Sequence, residues 1–211
     1  MAAPPIDPNL ITLLRLPLAP AAVGFLVFWD SPWGVAIALV LSLLLEATDA
    51  LDGFVARRYN AVSDFGKLFD PFSDAFARFT LFLGLWAIGA AHLWMILILF
   101  YRDSSISFFR SIAATRGQVM PARKTGKIKA IVQAIGVNGI LVFLLAAHLG
   151  YVPAYLAVAE QAPYGLTLPW WVMLVVTIVT GASFFDYLAG AWPILSAAWS
   201  NQPSPTETPV D

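Results

Sequence analysis

Glu46-Ala-Thr-Asp49-Ala-Leu-Asp52-Gly53-Phe-Val-Ala56-Arg57 and Gly66-Lys-Leu-Phe-Asp70-Pro-Phe-Ser-Asp74 are the two stretches on which the reading of this 211-residue chain turns. Asp49 and Asp52 are three positions apart, and Asp70 and Asp74 are four apart. On a helix each pair therefore shares one face. Both stretches border apolar runs, and the short segment Arg58–Phe65 joins them. The two helices are expected to be antiparallel neighbours whose acidic faces converge. Helix caps or surface charges at a membrane face account for one or two such acids, Asp64 for instance. They do not account for four at paired helical spacing.

The composition sets the surroundings of these acids. Hydrophobic residues make up 59% of the chain and charged residues 12%, against roughly 45–50% and 25% in soluble proteins. Mean hydropathy is +0.75. The expected fold is an all-α integral membrane protein, a bundle of six transmembrane helices forming one catalytic domain over residues 1–200. Expected spans are Leu13–Phe28, Val35–Arg57, Gly66–Ala90, Leu93–Ala114, Ala130–Leu149 and Leu168–Trp199, each near the ~20 residues a bilayer requires. Pro17 and Pro20 interrupt the first, so a surface segment over about residues 1–12 is expected before it. Met1–Asn9 carries no basic residue, and no cleavable signal peptide is expected. Residues 201–211, rich in Pro, Ser and Thr, read as a disordered cytoplasmic tail.

Orientation follows from the basic residues. With the N-terminus in the cytoplasm, all twelve Lys and Arg fall on the inner half: Arg15, Arg57, Arg58, Lys67, Arg78, Arg102, Arg110, Arg116, Arg123, Lys124, Lys127 and Lys129. The outer connections hold Trp33, Trp94, Trp170 and Trp171, suited to an interfacial aromatic belt. The chain is expected to be a multi-pass protein of the cell (inner) membrane with a cytoplasmic active site. Its partner is the lipid bilayer, and no nucleic acid is expected. There is no cysteine, which excludes disulfides, thiolate catalysis and cysteine zinc sites. His92 and His148, far apart in sequence, read as buried or interfacial side chains.

Four carboxylates in such a setting require compensation. Each charge at the bilayer centre costs at least about 2.5–3.5 kcal/mol. Every candidate ligand is an oxygen, so the expected partner is a hard divalent cation. Two Mg²⁺ or Mn²⁺ ions about 3.5–4 Å apart can clamp a phosphoryl group. Gly53 and Gly66 leave room for a ligand against the backbone or for close helix packing. Arg57 is placed to meet a phosphate, whereas Arg58 reads as a snorkelling interfacial side chain.

Together these residues form D-x-x-D-G-x-x-A-R-(x8)-G-x-x-x-D-x-x-x-D, which resembles the signature of the CDP-alcohol phosphotransferase (CDP-alcohol phosphatidyltransferase) family. The resemblance implies a six-helix membrane fold, usually a homodimer. It implies that Asp49, Asp52, Asp70 and Asp74 hold two metal ions, that Asp74 is also the general base, and that CMP departs. Gly53, Ala56, Arg57, Gly66 and Ser63, with Asp52, would border the CDP-lipid. Asn9-Leu-Ile-Thr12-Leu-Leu-Arg15 is similar to the N-terminal segment of the phosphatidylglycerophosphate synthases within that family, which puts Asn9 and Thr12 near the nucleotide.

Arg102-Asp103-(x6)-Arg110 and Gly126-Lys127-Ile-Lys129-(x3)-Gln133 are similar to the same group. The implied substrates are CDP-diacylglycerol and sn-glycerol 3-phosphate. Arg102, Arg110, Arg123, Lys127 and Lys129 would bind the acceptor phosphate, although a basic cluster there also satisfies positive-inside topology alone. Two positions depart: the usual D-P-x-A-D-K has Ser73 in place of the alanine and Ala75 in place of the lysine, for which Arg78 is the residue able to substitute. An inositol phosphate acceptor is the alternative within the family. A divalent-cation transporter is the alternative outside it, disfavoured because all four aspartates lie at one end of the bundle.

Overall fold

The computed structural model describes residues 8–59, 64–118, 120, 123–153 and 167–200. They form six helices: α1 (Pro8–Phe28), α2 (Pro32–Tyr59), α3 (Asp64–Ala87), α4 (Leu93–Thr115), α5 (Lys124–His148) and α6 (Leu168–Trp199). Among the described residues there is no strand, and the all-α expectation holds. Helix ends differ from the expected spans. α1 begins at Pro8, ahead of the expected Leu13, and runs unbroken through Pro17 and Pro20. Proline removes one helical donor, a loss that packing against neighbouring helices makes tolerable in membrane proteins. Thr12 and Arg15 therefore sit on a bundle helix.

Four segments are long and apolar enough to cross a membrane: Asn9–Phe28, Pro32–Asp49, Lys124–His148 and Leu168–Trp199. α3 and α4, at 24 and 23 residues, have the length of a span but carry Asp70, Asp74, Arg78, Arg102, Asp103 and Arg110. Large apolar side chains such as Leu43, Val142, Val175, Ile178 and Phe185 are exposed, as a lipid-facing surface requires. The core holds Phe82, Leu85, Met95, Ile96, Leu99, Ile140, Leu141, Met173 and Val176. The protein is a helical membrane protein.

The helices close a ring. α1 packs on α2, α2 on α5, α5 on α6, α6 on α4, α4 on α3, and α3 returns to α1. The expectation that α2 and α3 are direct neighbours is thereby corrected: they meet only slightly, and α1 stands between them. Small residues make this possible, because lipid offers no hydrophobic drive and close backbone approach must supply the contact. Ala19 and Ala22 on α1 are fully buried. A Cβ at Gly84 of α3 would stand 2.8 and 3.2 Å from the two methyls of Val23 on α1. Gly136 of α5 accepts Val176 of α6 in the same way, its Cβ position lying 2.6 Å from Val176 Cγ2.

Contacts sort the helix ends into two groups. At one end, the His92 ring lies 5.8 Å from Trp170 and His148 Nε2 lies 3.8 Å from Asp30. Both histidines are exposed there. At the other end the start of α1 meets the end of α2 and the start of α3 through Arg15–Asp49 and Thr12–Asp70. Glycines in the left-handed region end α3 and α4: Gly89 at φ 75° and Gly117 at φ 66°. In both, the next residue's N–H reaches back to close the last turn, Ala90 to Leu85 and Gln118 to Ala113, each at 2.9 Å.

Gly84→Leu is expected to destabilise the bundle by about 1–3 kcal/mol, the usual range for overpacking. The control is Gly24→Leu, since a Cβ at Gly24 meets nothing within 4 Å. Thermal melts of the two purified variants test this, and equal Tm values would refute the close α1–α3 contact.

Candidate active site

α1 is the brace of the acidic centre. Arg15 Nη1 lies 3.1 Å from Asp49 Oδ1, the arginine side chain 2% exposed and the aspartate 47%. The Thr12 hydroxyl donates to Asp70 Oδ1 at 2.9 Å. The Ser73 hydroxyl, fully buried, donates to the Thr12 carbonyl at 3.0 Å. Thus one turn of α1 grips an aspartate on α2, an aspartate on α3 and the backbone beside it. Asp74, one turn beyond Asp70, pairs with Arg78 Nη2 at 2.8 Å. A buried guanidinium is costly without a carboxylate beside it, so Arg15 and Arg78 are held by the acids they neutralise.

Asp49 and Asp74 lie within electrostatic reach of each other and of Glu46. Among the described residues no group of three or more His, Cys, Asp or Glu is gathered tightly enough to hold a metal ion. The donors present are carboxylate oxygens from α2 and α3, which suit a hard divalent cation in chemistry. Asp52, Gly53, Ala56 and Arg57 fall on the backbone of α2, with their side chains outside the described residues, and Ser63 lies outside them altogether. Gly66 is buried at the start of α3, and Asn9 is half-buried in the first turn of α1.

The basic candidates do gather. Arg102, Arg110, Arg123, Lys127 and Lys129 line one cavity of about 270 Å³, and Asp74 and Arg78 line it with them. The cavity therefore joins the acidic centre to the basic cluster. Arg78 and Ala75 both line this cavity. Asp103 orders the floor. Its carboxylate accepts from Lys129 Nζ at 2.8 and 2.7 Å and from Arg102 Nη1 at 2.9 Å. Arg102 Nε donates to Ser183 Oγ at 3.0 Å. Arg102 Nη2 is buried and has no hydrogen-bond partner among the described residues, a donor in want of an acceptor.

Arg123 stands apart from the other four. Its guanidinium is committed to Asp186, donating to that residue's carbonyl at 2.6 Å and pairing with its carboxylate. The Thr125 hydroxyl bonds the same carboxylate. A second, larger cavity of about 620 Å³ adjoins the first between α3 and α4, where it shares Arg78, Asp103 and Arg110. Phe72, Phe76, Phe79, Phe82, Leu99 and Phe100 make its walls apolar.

Sequence reasoning placed Arg15 in the N-terminal segment and on the inner half without giving it a partner. It missed Asp103 as the anchor of Lys129, although Asp103 adjoins Arg102 in the quoted motif. Ser183 and Tyr187 left no signal, because polar and aromatic residues on an apolar helix look alike whether they face lipid or a site.

Residues 6–178 match the CDP-alcohol phosphatidyltransferase family. The chain is 36% identical over 162 residues to a CDP-diacylglycerol–glycerol-3-phosphate 3-phosphatidyltransferase of Treponema pallidum, covering 76% of this chain and 73% of that one. It is 29% identical over 205 residues to the enzyme of that name from Bacillus subtilis, covering 90% of this chain and 97% of the relative. For the Rickettsia typhi enzyme of the same name the figures are 25% over 178 residues, 84% and 94%. With Asp49 and Asp70 of the signature braced by α1 and the match spanning most of its length, this membrane protein belongs to the CDP-alcohol phosphatidyltransferase family of transferases.

Proposed function

We propose that this enzyme transfers the phosphatidyl group of CDP-diacylglycerol to sn-glycerol 3-phosphate, releasing CMP and forming phosphatidylglycerophosphate. The observation that carries the reading is the single cavity in which Asp74 and the basic cluster meet. An acceptor that is both an alcohol and a phosphate needs a base at one end and cations at the other. The apolar cavity alongside suits the chains of a lipid whose headgroup lies at the shared Arg78–Asp103–Arg110 end. The three relatives named above carry this reaction in their names.

In this reading Asp74 accepts the proton of the acceptor's primary hydroxyl. That oxygen bonds to the phosphorus bearing diacylglycerol, the bond from that phosphorus to the CMP oxygen breaks, and CMP leaves with the electron pair. Arg102, Arg110, Lys127 and Lys129 bind and orient the acceptor's phosphate. Arg78 pairs with Asp74 and lines the cavity with the phosphate-binding groups. Asn9, Thr12, Gly53, Ala56, Arg57, Ser63 and Gly66 are assigned to the CDP side. Asp49, Asp52, Asp70 and Asp74 are the residues that would hold two Mg²⁺ or Mn²⁺ ions, which supply charge compensation on the diphosphate when bound. The cytoplasmic active site and inner-membrane location follow from the one-sided basic residues, and the homodimer from the family resemblance.

Purified enzyme in mixed micelles with CDP-diacylglycerol and Mg²⁺ or Mn²⁺ is expected to release CMP with sn-glycerol 3-phosphate. Inositol phosphate, serine and glycerol are the comparison acceptors. Preference for any of these over glycerol 3-phosphate would sink the acceptor assignment, and silence with all four would sink the chemistry. EDTA should stop turnover and added Mg²⁺ or Mn²⁺ restore it; undiminished turnover in EDTA would remove metal from the reading. Asp74→Asn should lower kcat about 10²–10⁴-fold, the usual range for losing a general base, while CDP-lipid binding survives in part. Near-normal turnover would end that role. Arg110→Ala should raise the acceptor KM about tenfold, equivalent to about 1.4 kcal/mol of binding. An unchanged KM would assign Arg110 to topology alone.

A further inference from the structure

The basic cavity is built on a residue that carries no charge. Tyr187 of α6 is 2% exposed. The Arg102 guanidinium lies 5.1 Å from its ring centroid and the Arg110 guanidinium 5.9 Å. Its hydroxyl accepts from Arg110 Nη2 at 3.4 Å and from the Arg123 backbone N–H at 3.1 Å. Space for that hydroxyl exists because residue 126 is glycine. A Cβ there would fall 2.7 Å from Tyr187 Oη and 3.0 Å from Cε2. The ring thus touches α4 through two arginines and the start of α5 through Arg123 and Gly126, and it lines the cavity shared with Asp74.

Two guanidiniums near one ring repel each other and, on long flexible stems, would spread apart. The negative π-face of one ring attracts both. A fixed ring therefore holds like charges at a set spacing before any anion arrives, and an anion that meets ordered donors binds with less loss of freedom. Arg102 Nη2 is buried and has no hydrogen-bond partner among the described residues. The family match ends at residue 178, so Tyr187 lies beyond the signature and its flanks.

We propose that Tyr187 is the positioning residue of the acceptor site: its buried ring sets Arg102 and Arg110 for the phosphate of the acceptor and so favours phosphorylated alcohols over neutral ones. This rests on the proposed phosphorylated acceptor. Tyr187 acts through the arginines and takes no part in the bond-making step.

Kinetics of the full-length enzyme, with glycerol 3-phosphate varied at fixed CDP-diacylglycerol, test it. Tyr187→Leu is expected to raise the acceptor KM about tenfold, with kcat within about twofold and the CDP-diacylglycerol KM unchanged. Tyr187→Phe, which restores the ring, should return the acceptor KM to within about threefold of the parent value, since ring attraction rather than the hydroxyl is the main effect. In a double-mutant cycle, Arg110→Ala should add little to Tyr187→Leu. Fully additive effects, an equal rise in both KM values, or a fall in kcat alone would overturn the proposal in favour of a purely structural tyrosine.

If Tyr187→Leu is not recovered from membranes, Tyr187→Phe and Gly126→Ala decide. Gly126→Ala, which crowds the ring without removing it, should raise the acceptor KM at least about threefold. An unchanged KM in Gly126→Ala together with a tenfold rise in Tyr187→Phe overturns the ring's role. Failure of the underlying reading looks different: the parent enzyme itself would then show no CMP release dependent on glycerol 3-phosphate, and this proposal would fall with it.

Discussion

Ion pairing inside an apolar bundle is the constraint from which the remaining features follow. Arg15 with Asp49, Arg78 with Asp74 and Lys129 with Asp103 are intramolecular pairs that largely bury the cation, and Arg123 with Asp186 adds a more exposed pair. A lone charge in that setting would be expelled toward water or neutralised. Pairing lets both signs stay where the chain is otherwise hydrocarbon. It also dictates which helices must be adjacent. Arg15 can meet Asp49 only if α1 lies on α2, and Thr12 can meet Asp70 only if α1 also lies on α3. The insertion of α1 between the two signature helices is thus coupled to the electrostatics of the site, and small residues at Ala19, Ala22 and Gly84 provide the close approach.

The same pairing divides the site by sign without separating it in space. Asp74 and Arg78 face the cavity from α3, and Arg102, Arg110 and Lys129 face it from α4 and α5. An alcohol phosphate has matching polarity, a proton to give at one end and a dianion at the other. Asp103 lies among the cations and ties Lys129 to Arg102, which fixes their direction and offsets part of their mutual repulsion. The adjoining apolar cavity extends between α3 and α4 and shares Arg78, Asp103 and Arg110 with the polar one.

α6 contributes more to this arrangement than its apolar sequence suggests. Ser183 receives Arg102, Tyr187 receives the guanidiniums of Arg102 and Arg110, and Asp186 holds Arg123 and Thr125. Arg123, a candidate phosphate ligand by position, lines the cavity and also ties the start of α5 to α6 through Asp186. Residues with identical charge and similar placement in sequence thereby acquire different tasks, according to whether a carboxylate or an aromatic ring stands opposite them.

Hydropathy, the paired aspartates and the one-sided basic residues were legible in the sequence because each depends on local spacing or on the solvent alone. A helix puts residues three or four apart on one face wherever it sits, and a bilayer demands apolar length whatever the fold. The sequence by itself therefore determined six helices, an acidic centre at one end and a basic cluster beside it. Which groups face each other was decided only by the tertiary structure. Arg15 on Asp49, Lys129 on Asp103, Arg123 claimed by Asp186, and Tyr187 against two arginines all join residues far apart along the chain. Their contacts depend on the order in which the helices close the ring, and that order is set by where small side chains allow backbones to meet and where buried charges find partners.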